Sequence, residues 1–150
     1  MEMFLGVKIV AAKPMTRLEY NQYRGWELPK DERGDDEGYL VEYFESEPNH
    51  PDHKGYISWS PKEQFDKAHY SMGFVGDLPP FIQRIHGEAA QLVQNCTKIT
   101  DFITKCNEGQ IENINPQYLD LMIRQRAVME THLGILRDRL EMLAKGKSTL

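Results

Sequence analysis

Residues 82–106 read IQRIHGEAAQLVQNCTKITDFITKC, and the apolar members Ile82, Ile85, Ala89, Leu92, Cys96, Ile99, Ile103 and Cys106 follow one another at steps of three and four. That spacing returns one face every two turns of an α-helix, so the stretch predicts a long amphipathic helix A from about Pro79 to Cys106, with Asp77 as a candidate cap. NEGQIENIN then reads as a turn, and Asn115-Pro116 caps a helix B running to about Ala144. Helix B carries Leu119, Met122, Met129, Leu133, Leu136, Leu140 and Leu143 at the same steps, interrupted by Arg126, which predicts an antiparallel hairpin closed along one seam.

Helix B has more apolar surface than that seam uses. Leu121, Val128, Ile135 and Met142 form a second column at intervals of seven. One partner helix cannot cover both columns, so a further surface is required: a second copy of the chain, or the first half of the same chain. We expect the helical half to oligomerise. A third heptad column, Tyr118, Gln125, His132 and Arg139, is polar from end to end. It suits the wet margin of a helix interface, or the wall of a polar pocket formed against a symmetry mate. Lys98 and Thr100 straddle the seam residue Ile99, so a cation and a hydroxyl flank the packed face and are suitable donors to a phosphate.

Upstream of helix A the pattern changes. Phe4–Val10 reads as a strand ended by Lys13-Pro14; Thr16 and Glu19 form a capping box for a short helix that Gly25 closes. GYLVEYF (38–44) and GYISWS (55–60) read as two strands, and Ser60-Pro61-Lys62-Glu63 as the start of a second short helix ending near His69. SMGFVGDLPP (71–80), with two glycines and two prolines, has the composition of a connection. The expected organisation is an α+β domain over residues 1–70, a linker over 71–78 and an oligomerising two-helix hairpin over 79–146.

The 150 residues carry a net charge of −5, and the acidity belongs to residues 1–76, with 9 basic and 14 acidic side chains against 9 and 9 afterwards. Duplex nucleic acid is therefore not the expected partner. Cys96 and Cys106 lie about 15 Å apart along one helix, too far to bridge, and free thiols suit a reducing cytoplasm. No apolar run approaches the roughly 20 residues of a membrane span, and the N-terminal stretch lacks a signal-peptide pattern. His50, Asp52 and His53, with Glu47 near, have metal-ligating chemistry in a spacing that matches no zinc signature; a polar turn explains them equally, and no metal is expected. Phosphate-loop, nucleophile-elbow, His-Glu-x-x-His and Cys-x-x-Cys motifs are absent, so neither catalysis nor a cofactor is implied.

The pieces PPFIQRIHGEAAQL, KITDFI and LMIRQRAVMETHLGILRDRL, covering about residues 79–143, resemble the phage nucleotide sponges that sequester the cyclic oligonucleotides of bacterial CBASS defence. KPMTRLEYNQYRGW and HKGYISWSPKEQFDKAHY resemble a phage and prophage module of unknown function. The first resemblance implies a compact homohexamer acting in the host bacterial cytoplasm, with cyclic dinucleotides held where two protomers meet and, in some members, cyclic trinucleotides at separate sites. It places Lys98 and Thr100 at the dinucleotide phosphates and brings Gln83, Arg84, Arg124, Gln125 and Arg139 into the candidate ligand-binding set, which His132 joins from the third heptad column. It also implies a tyrosine near the start of helix A that stacks on a base; this chain has Phe81 and Gln83 there. Two other readings stand beside capture: an oligomeric adaptor whose acidic, aromatic first half binds a host or phage protein, and a hydrolase acting on the signal.

Overall fold

A computed structural model describes residues 1–146. The elements are β1 (Ala11–Pro14), α1 (Arg17–Arg24), β2 (Gly38–Tyr43), β3 (Tyr56–Pro61), α2 (Lys62–Ala68), α3 (Pro80–Asn107) and α4 (Pro116–Ala144). They divide into two units, Met1–His69 and one that begins at Tyr70.

The first unit is a three-stranded antiparallel sheet in the order β1-β2-β3, so β2 is central. Leu40 and Val41 are adjacent on β2 and both buried, which the pleat achieves by sending them to opposite faces. On the Leu40 face, Tyr20 of α1 and Ile57 of β3 complete a small core, with Met15, Tyr23 and Trp59 packed around it. The Trp59 indole N–H donates to the Met15 carbonyl at 2.8 Å. The capping box of α1 is present: Thr16 Oγ1 accepts from Glu19 N–H at 3.2 Å and Glu19 Oε2 accepts from Thr16 N–H at 2.7 Å. Gly25 closes the helix in the left-handed region, φ 69°. The shared Gly-Tyr start of β2 and β3 has a steric reason. A Cβ on Gly38 would strike the Ser60 carbonyl and the Trp59 ring, and one on Gly55 would strike the Tyr43 carbonyl.

Three boundaries differ from the sequence expectation. The first strand lies at Ala11–Pro14, not Phe4–Val10, because Ala11 pairs with Glu42 and β2 ends at Tyr43. Residues before Ala11 have run past the end of their neighbour, and Met3, Phe4, Leu5 and Val7 stand exposed. Pro14 is tolerated because β1 is an edge strand. Ser60 is not a helix cap: it pairs with Tyr39 in the β2–β3 ladder, and Pro61 takes the cap position of α2. Asp77 does not cap α3 either; Pro79 holds that position without a side-chain cap.

In the second unit, α3 and α4 have 28 and 29 residues, roughly 42 Å each at 1.5 Å per residue. Asn115 Oδ1 caps α4 by accepting from Gln117 N–H at 2.8 Å. Ile85 and Ile103 of α3 and Leu133 and Leu136 of α4 are the buried centre of the seam, Leu136 at 1% exposure. Residues 70–79 run back along α3: Met72 Sδ lies where a Cβ on Gly87 would come within 3.1 Å, Val75 is buried, and the Gln83 carboxamide donates to the Gly76 and Leu78 carbonyls at 3.1 and 2.8 Å.

Leu136→Ala removes the best-buried side chain of the seam and should cost about 2–5 kcal/mol of stability. Chemical denaturation followed by helical ellipticity measures it, and a loss under about 1 kcal/mol would place the core of the hairpin elsewhere.

Candidate functional site

The second apolar column of α4 emerges uncovered. Leu121, Val128, Ile135 and Met142 are 55%, 69%, 54% and 73% exposed, values expected of polar surface residues, and Tyr118 joins them at 56%. An open depression lined by Pro116, Gln117, Asp120, Leu121 and Arg124 lies at the start of this column. A continuous apolar stripe of this length on a two-helix unit is unfavourable in water and is the feature that most needs a partner.

The candidate polar residues fall into two groups along the hairpin. His132 Nε2 of α4 lies 3.2 Å from Glu88 Oε1 of α3, which marks the register of the two helices. Counting from that pair at 1.5 Å per residue, Arg139 lies about 10 Å toward the end that holds Phe81, Gln83 and Arg84, while Arg124 and Gln125 lie about 10–12 Å the other way, toward Lys98 and Thr100. No one stretch of a single hairpin gathers all nine.

Their local states differ. Phe81, at 45% exposure, presents its ring on the first turn of α3. Gln83 is engaged with the strap of residues 70–79, as described above. Arg84, Gln125 and Arg139 are exposed, and Thr100 is half-buried beside the seam. Arg124 is paired with Asp120 at 3.0 Å. Lys98 donates to the Tyr70 hydroxyl at 3.2 Å, and its Nζ stands 5.6 Å from the centroid of that ring. Tyr70 is the partner that the sequence did not reveal, because it lies 28 residues upstream of Lys98 and outside the helix. Arg126, the cation that interrupts the seam, turns its Nε inward without a hydrogen-bond partner, 3.7 Å from Glu130.

In the first unit the His-rich turn is built into a hydrogen-bonded chain. Tyr23 Oη lies 2.9 Å from His53 Nε2, His53 Nδ1 lies 2.8 Å from Glu42 Oε2, and Glu42 Oε1 accepts the Lys54 and Gly55 N–H groups at 2.9 and 3.0 Å. His50 stacks on the Tyr23 ring, centroids 4.6 Å apart. Burial pushes the Glu42 carboxyl up, but the bonds from His53, Gly55 and Lys54 outweigh it and hold the group below the ordinary carboxylate range. An ionised Glu42 selects the His53 tautomer that carries its proton on Nδ1 when neutral, leaving Nε2 to accept from Tyr23. The chain ties α1, β2 and the β2–β3 connection together. Among the described residues no group of three or more His, Cys, Asp or Glu side chains converges as metal ligands do.

Residues 79–142 match the model of the Sequestin family. The match spans the hairpin from the cap of α3 to the last turns of α4 and fits the resemblance to nucleotide sponges read from the same stretch. It gives no support to the resemblance drawn for the first half, which lies outside it. No curated protein and no solved structure matches the chain.

Because the Glu42 carboxyl is depressed in the folded state, it contributes stability above the pKa it has when unfolded and loses that contribution as pH falls through its folded value. Thermal unfolding between pH 7 and pH 3 should therefore show a shallower acid loss in Glu42→Gln than in the parent, with the two converging at the acid end. Parallel curves would remove Glu42 from the list of titrating stabilisers.

Proposed function

We propose that the chain is a binding protein, not an enzyme, that captures cyclic oligonucleotide second messengers at interfaces between protomers and so withholds them from the effectors of CBASS immunity. The observation that carries this reading is the exposed column Leu121, Val128, Ile135 and Met142 on a hairpin that matches the Sequestin model. Covering that column requires another surface, and a second hairpin supplies one of matching length and apolarity.

A two-fold pairing of hairpins suits a pseudo-two-fold ligand, since each protomer offers the same groups to one phosphate. In this reading Lys98 and Thr100 meet the phosphates, and the exposed Phe81 ring supplies the face on which a base stacks. Arg84, Arg124, Gln125 and Arg139 line the polar margin, with His132 held to Glu88 across the hairpin and Gln83 to the strap that precedes α3. By the sponge resemblance the assembly is a hexamer in the host cytoplasm. Capture is stoichiometric, and competing with an effector needs nanomolar strength, about −12 kcal/mol.

A second reading draws on the first unit. Asp36, Glu37, Trp59, Pro61, Lys62, Glu63 and Asp66 line an open cleft in which Lys62 pairs with Asp66, and Trp26, Phe44 and Tyr56 are exposed elsewhere in the same unit. An excess of acidic residues together with exposed aromatic side chains suits a basic protein partner, and in this reading the chain is an oligomeric adaptor.

Two variants separate the parts of the capture reading. Val128→Glu with Ile135→Glu should reduce the assembly to monomers by light scattering and abolish nucleotide capture. Lys98→Ala should leave the assembly intact and weaken capture of a cyclic dinucleotide by about 100-fold, about 2.8 kcal/mol, the scale of a lost charge-assisted bond. A monomeric parent protein, or unchanged capture in Lys98→Ala, would contradict the interface or the phosphate assignment respectively.

A further inference from the structure

Lys98 differs from the other paired cations of the helical unit in what holds it. Arg124 meets Asp120 at 3.0 Å, Arg126 lies 3.7 Å from Glu130 and Lys145 meets Glu141 at 2.5 Å, so in each pair a carboxylate stands against the cation. Lys98 meets a phenol. A phenol oxygen is neutral, so the ammonium keeps its full charge. One of its three N–H donors is used by Tyr70, which leaves two for a further acceptor. A lysine stem is among the side chains with most rotamer freedom to lose, and here part of that loss is already met before any ligand arrives.

Tyr70 is itself fixed. The residues that follow it lie against α3, with Met72 over Gly87 and Val75 buried, and Gln83 fastens the end of the strap through two carbonyls. Gln83 thus reaches Lys98 through the strap.

Resting on the phosphate reading of Lys98 given above, we infer that Tyr70 is a positioning residue that holds the Lys98 ammonium, un-neutralised, as the receptor for a phosphodiester, and that Gln83 acts by fastening the strap that carries Tyr70. The strap lies upstream of the matched segment, so the receptor extends beyond residues 79–142. The ligand class is an oxyanion of single charge and compact shape, which two N–H donors and one positive charge satisfy without a carboxylate to compete.

The test uses the full chain and its Tyr70→Phe, Gln83→Ala and Lys98→Ala variants. Carbon-13 relaxation of the Lys98 ε-methylene reports its order without ligand, and calorimetric titration with 3′,3′-cyclic GMP-AMP at two salt concentrations reports binding. Tyr70→Phe keeps the ring and deletes the oxygen. It should lower the Lys98 order parameter toward that of the exposed Lys105 and weaken binding about tenfold, the scale of one side chain left to be ordered by the ligand. Its salt dependence should stay that of the parent, because the charge is still there, whereas Lys98→Ala should flatten it. Gln83→Ala should reproduce the loss of order with helical ellipticity unchanged. An unaltered Lys98 order parameter in Tyr70→Phe overturns the positioning role whatever the titration shows. A parent protein with an ordered Lys98 that binds no cyclic dinucleotide overturns the phosphodiester assignment and, with it, the phosphate reading of Lys98.

Discussion

Two helices joined by a short turn can hide one stripe of each from water, and α4 carries two. The seam built from Ile85, Ile103, Leu133 and Leu136 satisfies the first stripe within the chain, and its geometry fixes which side of α4 is left over. Leu121, Val128, Ile135 and Met142 sit on that remaining side because seven-residue spacing keeps them in line while the seam residues turn toward α3. The seam therefore does two things at once: it makes the hairpin and it orients the unpaired surface. Any partner must approach along α4, beside the polar margin that holds Gln125, His132 and Arg139.

The charges of the helical unit are arranged around that approach. Arg124, Arg126 and Lys145 are each compensated by a carboxylate four residues away on the same helix. Such pairs within one helix contribute little to stability and leave little charge to offer a ligand. Lys98 is the exception in kind, being held by a neutral hydroxyl. The first unit follows a different rule. Its central strand buries Leu40 and Val41 on opposite faces, and a chain of Tyr23, His53 and Glu42 fastens the polar β2–β3 connection that would otherwise carry no apolar anchor.

The helical half was largely legible in the sequence. Three-and-four spacing, the Asn115-Pro116 start and the second heptad column all describe local geometry, and each appears where the pattern put it. The capping box at Thr16 and the closing Gly25 were legible for the same reason. What could not be read depended on pairing between distant residues. The first strand shifted to Ala11–Pro14 because the length of β2 decides where a ladder exists, and Phe4–Val10 has strand chemistry with no neighbour. Ser60 and Asp77 had the residue type of caps, but a sheet ladder claimed the first, and at the start of α3 Pro79 holds the cap position in place of the second, with its carbonyl accepting from the Ile82 and Gln83 N–H groups. The same limit applies to the candidate site: Lys98 stood out from its place beside Ile99, whereas Tyr70, Glu88 and the engagement of Gln83 emerge only when the chain is folded back on α3 and α4.

The central claim is that protomers of this chain assemble through the uncovered face of α4 and hold an intact cyclic oligonucleotide where they meet. Native mass spectrometry of the purified chain mixed with a panel of cyclic di- and trinucleotides tests it most directly, with heat release of the bound species afterwards. The expected result is a multi-protomer complex carrying whole nucleotides at a fixed ratio, recovered unchanged on release. A monomer with no bound mass, or a nucleotide recovered in cleaved form, would contradict it.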